Sequence, residues 1–465
     1  MRKYIIACCF LIIGQQHAQE NMPSTMTLSE YLGYVKSYHP IVKQANLVLN
    51  TSEAKLLKAR GAFDPEIKVD FDEKQFKAQE YYHKLNATFK IPTWYGVAFK
   101  ANFEQNEGLF LNPIDKVPTD GLYSAGVAVS LAKGMFTNKR MTALKQAKLF
   151  LNQAKEDQQL LVNSILYEAS LSYFNWLQSY NEKQVYIAFL NNAGIRFEST
   201  KRAFQEGEKP AIDTLEAGIT LNSRKLKLEK ANIKLIKSSL ELSTYLWLNE
   251  NTPIDLKENI LPDIETMNTV DNAFNIPLFN AERFDIEQHP KIRSLGFNIE
   301  SLAAEERLKI NNLLPKIDLQ YNFLSQNATP QNSFNPENYK AGISFSMPIF
   351  IRKERGDLKV AKLKVRDKQL ENQLEKVVIK NKISAIQQEL TSYILQNNFT
   401  FQIVRDYAVL LSAEERKFFL GESSLFLVNF REQKYIDSKL KAIRLENDLF
   451  RAKARLFKEA VISIN

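Results

Sequence analysis

The side chains best suited to nucleophilic, acid–base or metal chemistry are few and widely spaced. The two cysteines, Cys8 and Cys9, are adjacent near the start, and His39, His83 and His289 lie far apart. Acyl hydrolysis, zinc chemistry and phosphate binding each leave a short signature: G-x-S-x-G, H-E-x-x-H, or a Gly-rich loop ending in Lys-Ser/Thr. The chain contains none of these. His39 and His289 each precede a proline, Pro40 and Pro290, which points to the start of a helix rather than to a general base. No catalytic, cofactor or metal site is expected, and the chain reads as a non-enzyme. Its 62 Lys and Arg exceed its 53 Asp and Glu, but the two signs are interspersed. Such interspersion belongs to solvated helix faces and argues against nucleic acid as a partner.

The elements that carry these residues begin with a leader. Met1-Arg2-Lys3, an apolar run from Tyr4 to Ile13 and a small residue at Ala18 predict a secretory signal peptide over 1–18. Ile5-Ile6-Ala7-Cys8 faintly resembles a lipobox, so lipidation at Cys8 stays open as the alternative. With the leader removed, no thiol remains for disulfides or cysteine chemistry. No segment has 18 consecutive apolar residues, so no membrane-spanning helix is expected. Contact with a bilayer would have to be made by strands.

The chain repeats itself. His39-Pro40 recurs as His289-Pro290, and Phe63-Asp64-Pro65 opens an alternating segment as Leu313-Leu314-Pro315 does later. Ala125-Gly126-Val127 matches Ala341-Gly342-Ile343, and Arg202-Ala203-Phe204 before Gly207 matches Arg416-Lys417-Phe418 before Gly421. Ordered matches of this kind indicate a diverged duplication. Repeat 1 covers 19–248, with a helix at 28–60, a strand region at 64–133 and a long helical hairpin at 138–248. A Pro- and Asn-rich equatorial linker at 249–282 follows. Repeat 2 covers 283–465, with a helix at 283–311, a strand region at 315–350 and a hairpin at 353–463. Thr27 and Glu30 have capping-box spacing for the first helix.

The hairpin helices are too long for a compact domain. A helix over 138–206 or 353–420 would measure about 100 Å at ~1.5 Å per residue. Ile436, Leu440, Ile443, Asn447, Phe450, Ala454, Phe457 and Val461 follow the three–four spacing of a coiled-coil seam. A second seam, Leu445, Leu449, Ala452 and Leu456, runs beside it, and Ile379, Ile383, Ile386, Leu390 and Tyr393 form another. Two seams on one helix imply neighbours on both sides, as in a ring of helices.

The strand regions alternate with period two. Ile67, Val69 and Phe71 interleave with Lys68, Asp70 and Asp72; Tyr339, Ala341, Ile343, Phe345, Met347 and Ile349 interleave with polar or small residues. This pattern fits a transmembrane barrel with a wet lumen and equally a sheet half buried on the chain's own helices. One copy has too few strands to close a barrel, where about eight is the minimum, so a barrel would be shared among copies. The repeat offset falls from 250 (Pro65 to Pro315) to 216 (Ala125 to Ala341), which leaves extra residues in the first region. They read as an added hairpin, with strands near 65–75, 82–91, 96–105 and 122–132. Trp94 and Tyr95 at its turn would belong to an interfacial aromatic girdle.

The leader, the tandem repeat, the Leu313-Leu314-Pro315 strand start, the Met347-Pro348-Ile349-Phe350 strand exit and helix starts such as Asp213-Thr214-Leu215-Glu216-Ala217 resemble the TolC-like outer-membrane efflux proteins. The resemblance spans essentially the whole mature chain. It implies a mainly α fold with a transmembrane β-barrel portion, assembled as a homotrimeric α/β-barrel duct in outer-membrane lipid and extending into the periplasm. It also implies docking to a periplasmic adaptor and an inner-membrane pump of RND or ABC type, with no cofactor. A periplasmic adaptor and a structural coiled-coil protein of the envelope are the alternative readings. The resemblance puts the periplasmic tip at the turns around Gly207, Pro210 and Gly421, where the family has gating aspartates linked to a tyrosine and an arginine. Asp213 stands at one such place, with either a gating or a capping role. At the second turn Leu427 and Phe430 occupy the aspartate places, Phe418 that of the tyrosine and Ser423 that of the arginine. Leu427 and Phe430 would then either form an apolar constriction or pack between helices. The six strands expected per chain also depart from the family's four.

Overall fold

A computed structural model of the chain describes residues 24–279, 283–328 and 335–462. The leader at 1–18, with Cys8 and the exit at Ala18, lies outside the described residues. In chain order the elements are β1 (Ser24–Met26), α1 (Leu28–Tyr38), α2 (Pro40–Gly61), β2 (Glu66–Phe76), β3 (Gln79–Pro92), β4 (Val97–Glu107) and β5 (Leu122–Ala132). Then follow α3 (Lys139–Gln205), α4 (Ala211–Ser243), β6 (Ile260–Pro262), α5 (Thr266–Ala273), α6 (Pro290–Asn311), β7 (Lys316–Ser325), β8 (Tyr339–Ser346), α7 (Arg352–Phe419) and α8 (Leu425–Ala460).

The chain divides into two compact units. One gathers the N-terminal segment through Val35 with Ala169–Ala273 and Gln396–Phe450; the other gathers Lys36–Glu168, Phe274–Leu395 and the chain from Arg451. In the first unit the core is aromatic: Tyr31 lies 5.7 Å from Tyr173, Tyr173 5.7 Å from Trp176, and Phe174 5.2 Å from Phe450. The Tyr173 hydroxyl donates to the Met26 carbonyl at 2.8 Å and accepts from the Asp263 amide at 3.3 Å. Burial pushes this phenol up to about 12, so it stays protonated and keeps both bonds. Beside it β1 and β6 form a parallel pair. The segment expected as a linker at 249–282 therefore carries a strand and the short helix α5.

In the second unit Ile379, Ile383 and Ile386 of α7 pack against Ile292 of α6 and Leu456 of α8, and Phe274 stacks on Phe457 at 5.1 Å. The seam read along α8 is buried at Ile436, Leu440, Asn447, Phe450, Ala454, Phe457 and Val461, and the second seam at Leu449, Ala452 and Leu456.

Three expectations are corrected. The helix expected over 28–60 is two helices that break at His39-Pro40. A residue before proline is driven out of the α region, and His39 sits at φ −62, ψ 134 with its ring accepting the Ile41 amide. The helix expected from 283 begins at Pro290 for the same reason, and the His289 ring accepts the Lys291 amide at 3.2 Å. Strand β8 ends at Ser346, so Met347 and Ile349 lie beyond the ladder, where Pro348 lacks the N–H that pairing requires. The capping box is present: Thr27 Oγ1 accepts the Glu30 amide at 3.2 Å, and Glu30 Oε2 accepts the Thr27 amide at 3.0 Å.

The six remaining strands form one sheet in the order β2-β3-β4-β5-β7-β8, antiparallel throughout. The extra residues read from the repeat offset bring this region to four strands, β2 to β5, with Trp94 and Tyr95 in the turn between β3 and β4.

Candidate functional site: the sheet faces and the helical turns

Residues directly opposite in an antiparallel ladder share a face, so the register assigns every strand residue to a side. One row runs Ile67, Phe89, Ala101, Ala125, Phe323, Tyr339; the next runs Ile91, Phe99, Val127, Tyr321, Ala341; a third runs Val97, Val129, Leu319, Ile343. All three lie on one side of the sheet. The opposite side carries the rows Glu66, Lys90, Lys100, Gly126, Asn322, Lys340 and Lys68, Thr88, Asn102, Ser124, Leu324. One face is thus continuously apolar across six strands, and the other is polar and charged.

The apolar face is exposed. Ile67 is 74% exposed, Val69 59% and Ile343 73%, so the sheet half buried on the chain's own helices is not the arrangement found. A contiguous apolar surface of this extent marks contact with lipid or with other protein. Some charges of the polar face pair locally. Lys68 pairs with Asp70 at 2.6 Å, Lys316 with Asp318 at 2.9 Å, and Ser130 Oγ donates to Asp318 at 2.8 Å. Gly126 sits where the strands approach too closely for a side chain, since a Cβ there would lie 1.9 Å from the Tyr321 carbonyl oxygen. Trp94 and Tyr95 occupy the β3–β4 turn. Trp94 stacks on Phe63 at 5.4 Å, its carbonyl accepts from Asn138 at 3.2 Å, and Tyr95 is exposed.

The α3–α4 and α7–α8 turns are built alike. Gly207 and Gly421 adopt φ +80 and +79, a conformation that favours glycine. The Glu208 amide reaches the Ala203 carbonyl at 2.9 Å as the Glu422 amide reaches that of Lys417 at 2.9 Å. Each is the long bond of a Schellman motif. Pro210 is the N-cap of α4 and makes no side-chain cap bond, so Asp213 in the first turn supplies the negative charge that the helix dipole favours there.

Phe418 packs on the cluster of Phe189, Leu411, Val428, Ile436 and Leu440, and the Lys209 ammonium lies 3.9 Å from its ring centroid. One side chain thereby links the two turns. Ser423 Oγ donates to Glu414 at 2.5 Å. Leu427 and Phe430 are 40% and 45% exposed, while Leu425 and Val428 of the same helix are buried.

Sequence reasoning missed the polar centre between these helices. Glu432 is fully buried and holds Arg196 of α3 at 3.1 Å and Arg224 of α4 at 3.1 Å. Arg196 also reaches Glu415 of α7 at 3.2 Å and Asn429 at 3.2 Å, and Asn429 donates to Glu216 at 3.0 Å. All four helices are tied by this network. Its signal was present: Val428, Glu432 and Ile436 recur every four residues, a carboxylate inside an apolar seam. Among the described residues no group of His, Cys, Asp and Glu is arranged to hold a metal ion, and no helix is long and apolar enough to cross a membrane.

No protein-family profile matches the chain, and no curated protein matches it by sequence. Solved structures do match by fold. The Campylobacter jejuni CmeC outer-membrane channel superposes with a TM-score of 0.66 at 13% identity, covering 96% of this chain and 86% of that one. The outer-membrane protein VceC of Vibrio cholerae gives 0.64 at 12%, covering 94% and 97%. The open state of the Neisseria gonorrhoeae MtrE channel gives 0.65 at 12%, covering 93% and 88%. The chain has the TolC-like fold. The six-stranded sheet of this chain has β2 and β8 as its two edges among the described residues.

Proposed function

We propose that the protein is a passive outer-membrane duct, a homotrimer whose three sheets close into one barrel. The observation that carries this reading is the unbroken apolar face of the sheet, exposed across all six strands. In lipid an open sheet edge is prohibitive because its amides and carbonyls have no water to bond. The two free edges run in opposite directions, so β8 of one copy suits antiparallel pairing with β2 of the next. Three copies then give an eighteen-stranded barrel, apolar outside and polar within, of the size class that holds an aqueous channel.

The two repeats, 19–248 and 283–465, each contribute one long and two shorter helical rods to the periplasmic part. The turns at Gly207 and Gly421 form its tip, which docks to an adaptor and an inner-membrane pump of RND or ABC type that supplies the energy. Leu427 and Phe430, half-exposed beside the second turn, line a constriction that closes by dewetting when three copies converge. Asp213 serves the helix dipole at the neighbouring turn, and Trp94 and Tyr95 mark the interface of the membrane.

The test is membrane fractionation combined with planar bilayers. The protein is expected in the outer-membrane fraction as a trimer that conducts. A deletion strain is expected to become sensitive to antibiotics, bile salts or metals, or to lose secreted proteins. A water-soluble monomer without conductance contradicts the reading. Conductance blocked by low divalent cation concentrations contradicts the apolar constriction alone.

A further inference from the structure

The β4–β5 loop, from Gly108 to Gly121, turns back over the polar face of the sheet. Its helical turn Pro113–Asp115 is capped by the Asn112 side chain, which accepts the Ile114 amide. Two wall residues hold that turn: the Lys84 ammonium pairs with the Asp115 carboxylate, and Asn106 Nδ2 donates to the Asp115 carbonyl at 2.8 Å. Lys84 and Asn106 are direct cross-strand partners, and their register parity puts both on the polar face. The loop is therefore fastened to the side that carries Thr88, Asn102 and Ser124, and not to the apolar side. Leu111 is buried by this arrangement, while Ile114 at the top of the turn is 84% exposed. Pro113 and Pro118 fix two of the loop's φ angles, so it projects as a stiff body rather than a loose tether.

We infer that this loop is the size-selecting element of the duct, latched by Lys84 and Asn106 so that Ile114 projects into the outer mouth. The inference rests on the proposed barrel, whose lumen is the polar face. An eighteen-stranded barrel is otherwise wide enough for an open aqueous pore. Three inward loops bearing apolar tips narrow it, and the exposed Lys116 and Asp120 of each loop offset one another, so the mouth excludes bulky solutes by size and passes flexible ones. A single exposed ion pair contributes little; here a second bond to the loop backbone and the two prolines add to it.

The experiment reads the mouth alone, independently of the helical tip. Ser124, on the polar face, is replaced by cysteine in the mature chain, which otherwise lacks thiols once the leader is cleaved. Intact cells receive maleimides of graded size from outside. With the loop latched, Ser124→Cys is expected to react with a small maleimide and not with a polyethylene-glycol maleimide. In Lys84→Ala/Asn106→Ala, which leaves the loop's own sequence intact, the large reagent is expected to react at a rate near that of the small one. The charge exchange Lys84→Asp/Asp115→Lys is expected to restore exclusion. Equal labelling by both reagents in both backgrounds overturns the inference, as does exclusion that survives loss of the latch. Absence of any labelling by the small reagent instead removes the wet lumen, and with it the proposed duct.

Discussion

Glu432 and the two histidine caps show how single side chains decide between packing and charge. Glu432, itself fully buried, is the shared partner of Arg196 and Arg224. Removing it takes the carboxylate from buried Arg224, which keeps only Gln433 among the described residues, while Arg196 keeps Glu415 and Asn429. Loss of one partner from a buried pair costs about 3–5 kcal/mol. Glu432→Ala is therefore expected to lower the thermal midpoint of the purified protein in circular dichroism. A melt equal to wild type would show that the network is solvated. His39 and His289 carry the opposite lesson. Each Nδ1 accepts a backbone amide, from Ile41 or Lys291, so the ring must be neutral there, and burial lowers both values below the ordinary 6.5. Glu459 and Glu375 oppose the shift at His289 without cancelling it. With the folded value below the unfolded one, stability is complete above about pH 6.5. It falls as acid forces protons onto the caps. Thermal melts should hold level from pH 8 to 6.5 and then drop, whereas His39→Asn/His289→Asn should be flatter in that window, because asparagine caps without titrating. Identical pH profiles for the two proteins would count against the caps as the cause.

At the scale of elements the sheet is decided by parity. Val127 and Ser124 lie on one strand at opposite parity, Val127 between Phe99 and Tyr321, Ser124 between Asn102 and Leu324. An arginine at the bilayer midplane of a barrel costs about 2–4 kcal/mol on the lipid side. Val127→Arg is expected to reduce trimer recovered from outer membranes, and Ser124→Arg to leave it near wild type. Similar losses for both would mean that neither face meets lipid. This parity was legible in the sequence, because alternation depends only on neighbours two residues apart. So were the coiled-coil seams and the Thr27–Glu30 capping box, which are set by spacings of three and four. The break at His39-Pro40 escaped because apolar positions continue on both sides of it, Leu32 and Val35 before and Val42 and Ala45 after, so the helical period hid the interruption. The latch between Lys84 and Asp115 and the pairing of Glu432 with Arg196 link residues far apart in sequence. No local period can announce such contacts.

For the whole molecule, if three sheets close as proposed, the β2–β3 hairpin at the sheet edge sets the size of the assembly. Strands β2 and β3 leave the end of α2 and return to it, since Phe63 before the hairpin and Trp94 after it stack at 5.4 Å. The hairpin is thus a closed excursion at the edge of the sheet, where β2 pairs with β3 alone among the described residues. Excising Asp64 through Thr93 should leave β4, β5, β7 and β8 paired in their present register, with β4 as the new edge. Three such chains would close twelve strands instead of eighteen, and barrel diameter grows roughly linearly with strand number. Cryo-electron microscopy of the excised trimer is expected to show a barrel about two-thirds as wide on an unchanged helical portion. The excision also removes Lys84, so Lys84→Ala/Asn106→Ala is the proper reference, with the loop unlatched in both. A trimer that keeps its width, or a chain that no longer trimerises although its helices fold, would mean that the edge formed by β2 is not exchangeable for β4. The closure proposed here, by any matched pair of antiparallel edges, would then fail.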